Sequence, residues 1–526
     1  MKKVLLLNPP YPAEEHPSPS YGLMALAAYI ISKGYDVKIE DYIIENCSMD
    51  RFQSVIDQYK PDVVGATAVS MTVNKSLSIL RDYKSLSPNI ITVIGGPHAT
   101  FDSIGMLNSG VVDFVVRGEG EITFSELLDT LSNGGDISSV NGISYKLNGK
   151  IFHTPDRDLI QDINILPFPA RHLVALSKYK AMDFPINMAT SRGCPHSCIF
   201  CLGRKMVGQR LRYFHVDRVV DEFEMLSKMG FSQINISDDL FTSNKKRCME
   251  ICNGIVSRGI KQRWSAFARI DTVSEDLLQK LKEAGCADLC FGIESGDQNI
   301  LNRVKKRITL SKCQAVADMC KRAGITPLAS FILGLPGETE ETLMNTLRFA
   351  RNLNMDLGIH ILAPFPGTEI REKAKEYGLH IFTDDWDLYD ANRSVSSTGG
   401  VSPEKIDKVV NDFYDSLNNY MKSLASKKKS GEKLSENDET MLRKSEIYNF
   451  YMDLIKRKLI EDFNTASGLD GKVFLDGEVF IEELSAHIHK KLGNDTNFIS
   501  TMLSNLVDKG CIEIVKNNNS MAANWV

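Results

Sequence analysis

The sequence predicts an α/β protein: a doubly wound parallel sheet, then a second run of strand and helix repeats, then a mostly helical C-terminal region. Three observations carry this expectation. Short apolar runs alternate with helical patterns through the first 131 residues, the rhythm returns six times between residues 186 and 362, and helical periodicity takes over after residue 402. The 526 residues suggest two large domains plus a smaller one. With 43% apolar residues, 25% charged residues and a net charge of -5, the chain lacks the basic excess of a nucleic-acid binder. It has no run of 18 apolar residues, and Met1-Lys2-Lys3 leads into a short strand-like run and Pro9-Pro10 rather than a signal peptide. A cytoplasmic protein without a membrane span is expected, and its 11 Cys are read as reduced or metal-bound.

In the first region the expected strands are 3–7, 36–40, 62–67, 90–94 and 113–116, with helices near 23–33, 52–59 and 75–86. Sheets of this kind bind ligands outside the carboxyl ends of their strands. Those ends carry Asn8-Pro-Pro-Tyr11, Ser70-Met-Thr72, Gly95-Gly-Pro-His-Ala-Thr100 and Arg117-Gly-Glu-Gly-Glu121. Small residues there let backbone approach a large flat ligand or its phosphate tail, though they equally suit ordinary tight turns. Alternation around Asn148-Gly149 predicts a type I′ hairpin that closes the first domain. Four prolines between 155 and 185 mark a connector.

The second region has expected strands at 186–190, 233–237, 264–269, 289–294, 327–333 and 357–362, and helices near 216–229, 245–258, 275–284, 310–323 and 340–353. Periodicity alone leaves a barrel or an open sheet. Directly after its first strand stand Cys194, Cys198 and Cys201, in a C-x3-C-x2-C spacing. Iron–sulfur cubanes use closely spaced thiolates and normally four of them, so three leave one iron open to an outside ligand. A Cys3His zinc site with His196 is the alternative. Ser237-Asp238-Asp239, Arg269, Gly292-Ile-Glu294-Ser295 and Gly334-Leu-Pro-Gly-Glu338 end the later strands, where barrels keep their active sites. Each has a plain reading too: helix capping for the Asp residues, a pair with Asp271 for Arg269, a solvated strand end for Glu294.

The cysteine loop resembles the signature of the radical S-adenosylmethionine (SAM) superfamily, and the N-terminal region resembles the cobalamin-binding domain that precedes many such barrels. That resemblance implies a six-unit, laterally open barrel, a [4Fe–4S] cluster on Cys194, Cys198 and Cys201, and SAM on the fourth iron. It implies that Phe200 packs by the adenine and that Ser237, Asp238, Asp239, Arg269, Glu294 and Ser295 meet the amino-acid and ribose parts of SAM. For cobalamin it points to Pro10, Tyr11, Ser70, Thr72, Gly95, Gly96, His98, Gly118, Glu119 and Gly120. Two departures stand out. The D-x-H-x-x-G sequence that supplies a cobalt ligand is absent, leaving His98 as a substitute ligand or a hydrogen-bonding loop residue. The stretch 331–338 is close to the family's G-x-I-x-G-x-x-E element but out of register. Ala363-Pro-Phe-Pro-Gly-Thr368 resembles the barrel-closing sequence of cobalamin-type members.

The implied division is a Rossmann-like domain at 1–141, hairpin and connector at 142–185, a partial barrel at 186–380, and a helical, winged-helix-like region at 381–526. The last rests on helices at 481–492 and 497–508 and a strand at 511–515. It is expected to pack against the barrel, while 426–433 reads as a solvated loop. Asp384-Trp386 and Tyr389 are either pocket-lining or packing residues. Cys248 and Cys252 fit a buried helix face, and no second cluster is expected. The implied activity is methyl transfer to an sp3 carbon of a small molecule or peptide, through a 5′-deoxyadenosyl radical, with a flavodoxin- or ferredoxin-type reductant. Cyclisation, ring contraction or oxidation with the same cofactors is the enzymatic alternative, and a non-catalytic corrinoid or metal-binding protein is the other.

Overall fold

The computed structural model describes residues 2–11, 18–469, 476–517 and 520–526. Strands β1 (Lys3–Asn8), β2 (Asp36–Asp41), β3 (Val63–Thr67), β4 (Ile91–Gly95) and β5 (Phe114–Val116) pair in parallel. The hairpin β6 (Ile143–Leu147) and β7 (Lys150–His153) adds antiparallel to β5, giving the order β2-β1-β3-β4-β5-β6-β7. Side chains alternate across a strand, so a sheet covered on both faces must be apolar throughout. Thus Val4, Leu6, Val63 and Val93 enter one core, while Leu5, Leu7, Val64 and Ile94 enter the other. The switch in strand order falls between β1 and β3, which fixes the ligand crevice.

Asn148 and Gly149 both take positive φ (49° and 77°), as the predicted type I′ turn requires. The hairpin, grouped in the sequence reading with the connector, is the edge of the first sheet. Three helices, Pro97–Phe101, Ser103–Asn108 and Gly120–Asn133, lie outside the expected ones, the last beginning inside the expected Arg117–Glu121 loop.

After the connector come β8 (Ile186–Met188), an antiparallel two-residue pair β9 (Ser191–Arg192) and β10 (Arg212–Tyr213), then β11 (Ile234–Ile236), β12 (Trp264–Ala268), β13 (Cys286–Glu294), β14 (Thr326–Leu333) and β15 (Asp356–Ile361). The parallel order is β15-β14-β13-β12-β11-β8, with β8 and β15 unpaired to each other. This is the six-unit open barrel. Trp264, Ala266 and Ala268 pack outward with the helices, whereas Phe267 between them is 51% exposed, because the inner face borders an open lumen.

Beyond a small pair, β16 (His380–Ile381) and β17 (Ser396–Ser397), helices Pro403–Lys429 and Glu436–Lys456 lead to Leu459–Leu469, Gly477–Leu492 and Thr496–Asp508. A hairpin, β18 (Ile512–Asn517) and β19 (Ser520–Trp525), completes this C-terminal module. Phe480, Leu484, Ile499 and Leu503 belong to the same apolar core as the barrel strands, so the module packs onto the barrel. Residues 426–429, expected as loop, form the last helical turn, where three lysines favour the helix's negative end. No described helix is long and apolar enough to cross a membrane.

Candidate functional site

The cysteine loop leaves β9 under tight restraint. Asp238, buried at the end of β11, accepts hydrogen bonds from the amide and hydroxyl of both Thr190 and Ser191 at 2.6–3.1 Å. The Arg247 guanidinium donates to the Thr190 carbonyl and hydroxyl from the next helix. Gly193 has φ +113°, and a Cβ there would lie 2.5 Å from the Arg210 carbonyl oxygen, so only glycine fits. The Cys194 amide bonds the Gly208 carbonyl. Ile199 is a buried peg among Ile300, Val304, Leu335, Leu362 and Ile370, with Phe200 at the rim of the same cluster. The peg turns Cys194 and Cys198 half-buried and Cys201 outward.

The three thiols share a setting that favours metal over thiolate alone. Although Cys201 is exposed over part of its surface, the chain crowding its sulfur raises the thiol to about 11, against a hydrogen bond from the Gly203 amide, and burial raises Cys194 and Cys198 as well. Arg269 and Lys306 pull Cys198 down and Asp239 pushes Cys194 up, placing these charges around the loop. Iron would displace the thiol protons and relieve the mutual repulsion.

The other predicted SAM contacts divide. Asp239 is exposed at the mouth, and Ser237, also exposed, donates to the Met188 carbonyl. Arg269 makes a two-pronged pair with Asp271 at 2.9 and 3.0 Å and also donates to the Lys306 carbonyl. Glu294, at φ +74° beside a bulge in β13, accepts from Lys306 Nζ at 2.7 Å; both side chains fold over Gly292, where a Cβ would meet them. Lys306 Nζ lies 6.0 Å from the Phe200 ring centre. Two residues are turned away from the mouth. Asp238 has its lone pairs filled by the loop's own stem, and Ser295 is buried against Thr346 and the Asp297 amide. These are braces in this structure, since each already satisfies the chain's own donors and acceptors.

A cavity of about 290 Å³ opens at the carboxyl ends of the first sheet. Gly65, Gly95, Gly96, Gly118 and Gly120 keep it open, Leu6, Leu23, Leu26 and Phe124 make it apolar, and Arg192, Met206 and Val207 close it from the cysteine-loop side. Gly96 has φ +95°, and a Cβ would sit 2.8 Å from the Ala68 carbonyl oxygen. This mostly apolar, glycine-cleared cavity lies at the strand ends, where sheets of this kind receive ligands.

The other residues expected near cobalamin have partners within the chain. His98 is buried, shares a 3.0 Å hydrogen bond with Ser70, lies 3.6 Å from Asp102 and meets Trp386 edge-on at 4.6 Å. In this structure it is a buried, hydrogen-bonded residue packed on Trp386. Thr72 closes the turn onto Val69, while Pro10 and Tyr11 are half-buried just past β1. Glu119 borders the cavity, yet its oxygens accept from Arg192, Arg212 and the Ile160 amide. Burial pushes Glu119 up, but the two guanidinium groups hold it below the usual carboxylate range. Trp386 and Tyr389 pack under Arg371, with the Tyr389 hydroxyl donating to the Thr383 carbonyl. Cys248, Cys252 and Cys286 are fully buried in the core.

The Radical SAM superfamily profile matches residues 188–350 and the B12 binding domain profile residues 15–128. An uncharacterized methyltransferase of Pyrococcus horikoshii is 36% identical over 425 residues, 79% of this chain and 92% of that one. The anaerobic magnesium-protoporphyrin IX monomethyl ester cyclase of Rubrivivax gelatinosus is 30% identical over 406 residues, 74% of this chain and 72% of that one. In fold, the cobalamin-dependent S-adenosylmethionine radical enzyme OxsB, solved with aqua-cobalamin and SAM bound, aligns with a TM-score of 0.65. That alignment spans 96% of this chain and 79% of that one at 17% identity.

Proposed function

Because the chain belongs to the cobalamin-dependent radical SAM enzymes, we propose that it is a methyltransferase acting on an unactivated sp3 carbon of a small molecule or peptide. The observation behind this reading is the shared wall: residues 192–207 both carry the three cysteines and bound the glycine-cleared cavity. Cys194, Cys198 and Cys201 would hold the cluster, and the cavity at Gly65, Gly95, Gly96, Gly118 and Gly120 would hold cobalamin. Phe200, Ser237, Asp239, Arg269 and Glu294 are the proposed surroundings of SAM, joined by Lys306.

When bound, these groups supply one-electron cleavage of SAM and a methyl group carried on cobalt. The chain's residues do the rest. Asp238 and Arg247 hold the loop stem, Ile199 anchors its middle, and Gly193 fixes the direction in which Cys194 leaves β9. Arg269 and Lys306 place positive charge where an amino-acid carboxylate would be received, and Asp239 and Glu294 offer acceptors to an ammonium. Apolar cavity walls exclude water from reactive species. An external one-electron donor of flavodoxin or ferredoxin type is proposed as the reductant.

Purified protein, incubated anaerobically with SAM, reductant, cobalamin and cell extract, should form 5′-deoxyadenosine, S-adenosylhomocysteine and a compound heavier by one methyl group. 5′-Deoxyadenosine without S-adenosylhomocysteine would favour cyclisation or oxidation, the reading to which the cyclase relative lends weight. No SAM cleavage by cluster-loaded protein would overturn both and leave a binding protein.

A further inference from the structure

We infer that Arg192 is a positioning residue through which cluster loading on the cysteine loop and cobalamin binding in the cavity assist each other. The inference rests on the cofactor assignment proposed above. Arg192 stands two residues before Cys194, and its guanidinium crosses to the first domain. Nη1 donates to Glu119 Oε1 at 2.9 Å and Nη2 to Glu121 Oε1 at 2.6 Å. Glu119 Oε2 accepts from Arg212 at 2.8 Å and from the Ile160 amide at 2.8 Å, so the frame is triangulated by β10 and the connector. All four side chains are largely buried, at 14% exposure or less.

Neither end of this link has slack. Gly193, between Arg192 and Cys194, is held in a left-handed conformation against the Arg210 carbonyl, so a shift of Arg192 is passed to Cys194. Glu119 and Glu121 flank Gly120, and residues 118–121 are cavity wall. An occupant that orders this wall orders the carboxylates, and they order the loop stem. A planar guanidinium can bridge two carboxylates with paired N–H groups; an ammonium is a point donor and cannot reproduce the fork. Binding at two sites that share such an element is linked reciprocally, typically by 5- to 150-fold in affinity. A contact serving only as domain glue would weaken both sites without linking them.

The test is a thermodynamic cycle that needs no substrate. Hydroxocobalamin affinity is measured by absorbance titration on full-length protein with and without its cluster, with iron and sulfide counted in each sample. Wild type should bind hydroxocobalamin at least about fivefold more tightly when the cluster is present. Arg192→Ala should bring that ratio to about one, with Arg192→Lys and Glu121→Gln between. If Arg192→Ala does not fold, the other two variants carry the comparison. A wild-type ratio of one, or a full ratio in the variants, overturns the inference alone. Wild-type protein that takes up neither cofactor overturns the functional reading and this inference with it.

Discussion

The glycine-lined cavity of the first sheet and the cysteine loop reach their shapes by opposite means. The cavity is made by omission: glycines at 65, 95, 96, 118 and 120 leave space between apolar walls, and few of its residues offer polar contacts. The loop is made by commitment: Asp238, Arg247, Thr190 and Ser191 are spent on holding backbone so that three thiols can face outward. Residues that touch a cofactor and residues that permit the touching are therefore chemically different populations. In the cavity the sequence signal sits in the permissive glycines, and in the loop it sits in the ligands.

Breaking the loop at its ligands should have the largest effect. Cys194→Ala, Cys198→Ala or Cys201→Ala should lower 5′-deoxyadenosine formation by more than about 100-fold, as loss of a metal ligand removes the chemistry the cofactor carries. Iron content should fall with it, while hydroxocobalamin still binds. Next comes the brace. Asp238→Ala leaves the buried amides and hydroxyls of Thr190 and Ser191 without their acceptor, at about 1–3 kcal/mol for each buried donor left unpaired, read as a lower denaturation midpoint. Filling the cavity should be milder and local. A Cβ at Gly65 would already lie 3.2 Å from Leu6 Cδ2, so Gly65→Val should weaken hydroxocobalamin about tenfold, roughly 1.4 kcal/mol, with iron content unchanged.

The smallest effect concerns Asp41, the first sheet's counterpart of Asp238. It accepts from Tyr179, Asn8 and the Ile43 amide, yet burial pushes its carboxyl up from 3.8 to about 6. A carboxyl raised on folding binds its proton more tightly in the native state. Its stability contribution is full below pH 3.8 and is lost as pH rises through about 6. Wild type should lose about 1 kcal/mol from this source between pH 5 and 7. Asp41→Asn, which does not titrate, should lack that component in thermal unfolding. A flat wild-type profile would contradict the shift.

Much of the fold was legible because alternation and helical periodicity are local. All five parallel strands of the first sheet and all six of the barrel lie where expected, with ends moved by a few residues. The short helices after β4 were missed, since five or six residues carry too little periodicity to register. The cysteine loop was legible because its ligands sit within eight residues of one another. Arg192, Arg212, Arg247 and Lys306 were not singled out. Arg192 and Arg212 meet Glu119 across 73 and 93 residues of chain, and no local pattern marks such a pair. Asp238 and Ser295 were correctly placed at strand ends, but sequence cannot say toward which side a strand-end side chain turns.

The seam between β8 and β15 has a consequence for how the barrel holds together. A sheet that never meets itself has two bare margins, and such margins invite strangers to pair. Here each is plugged: the Arg171 guanidinium donates to the Asn187 carbonyl, and the Tyr414 hydroxyl donates to the Ile359 carbonyl. Across the gap the Ile370 amide donates to the Ile199 carbonyl and Ile199 packs on Leu362 and Ile370, so the seam is held by side chains and a backbone hydrogen bond where a closed barrel would have a ladder.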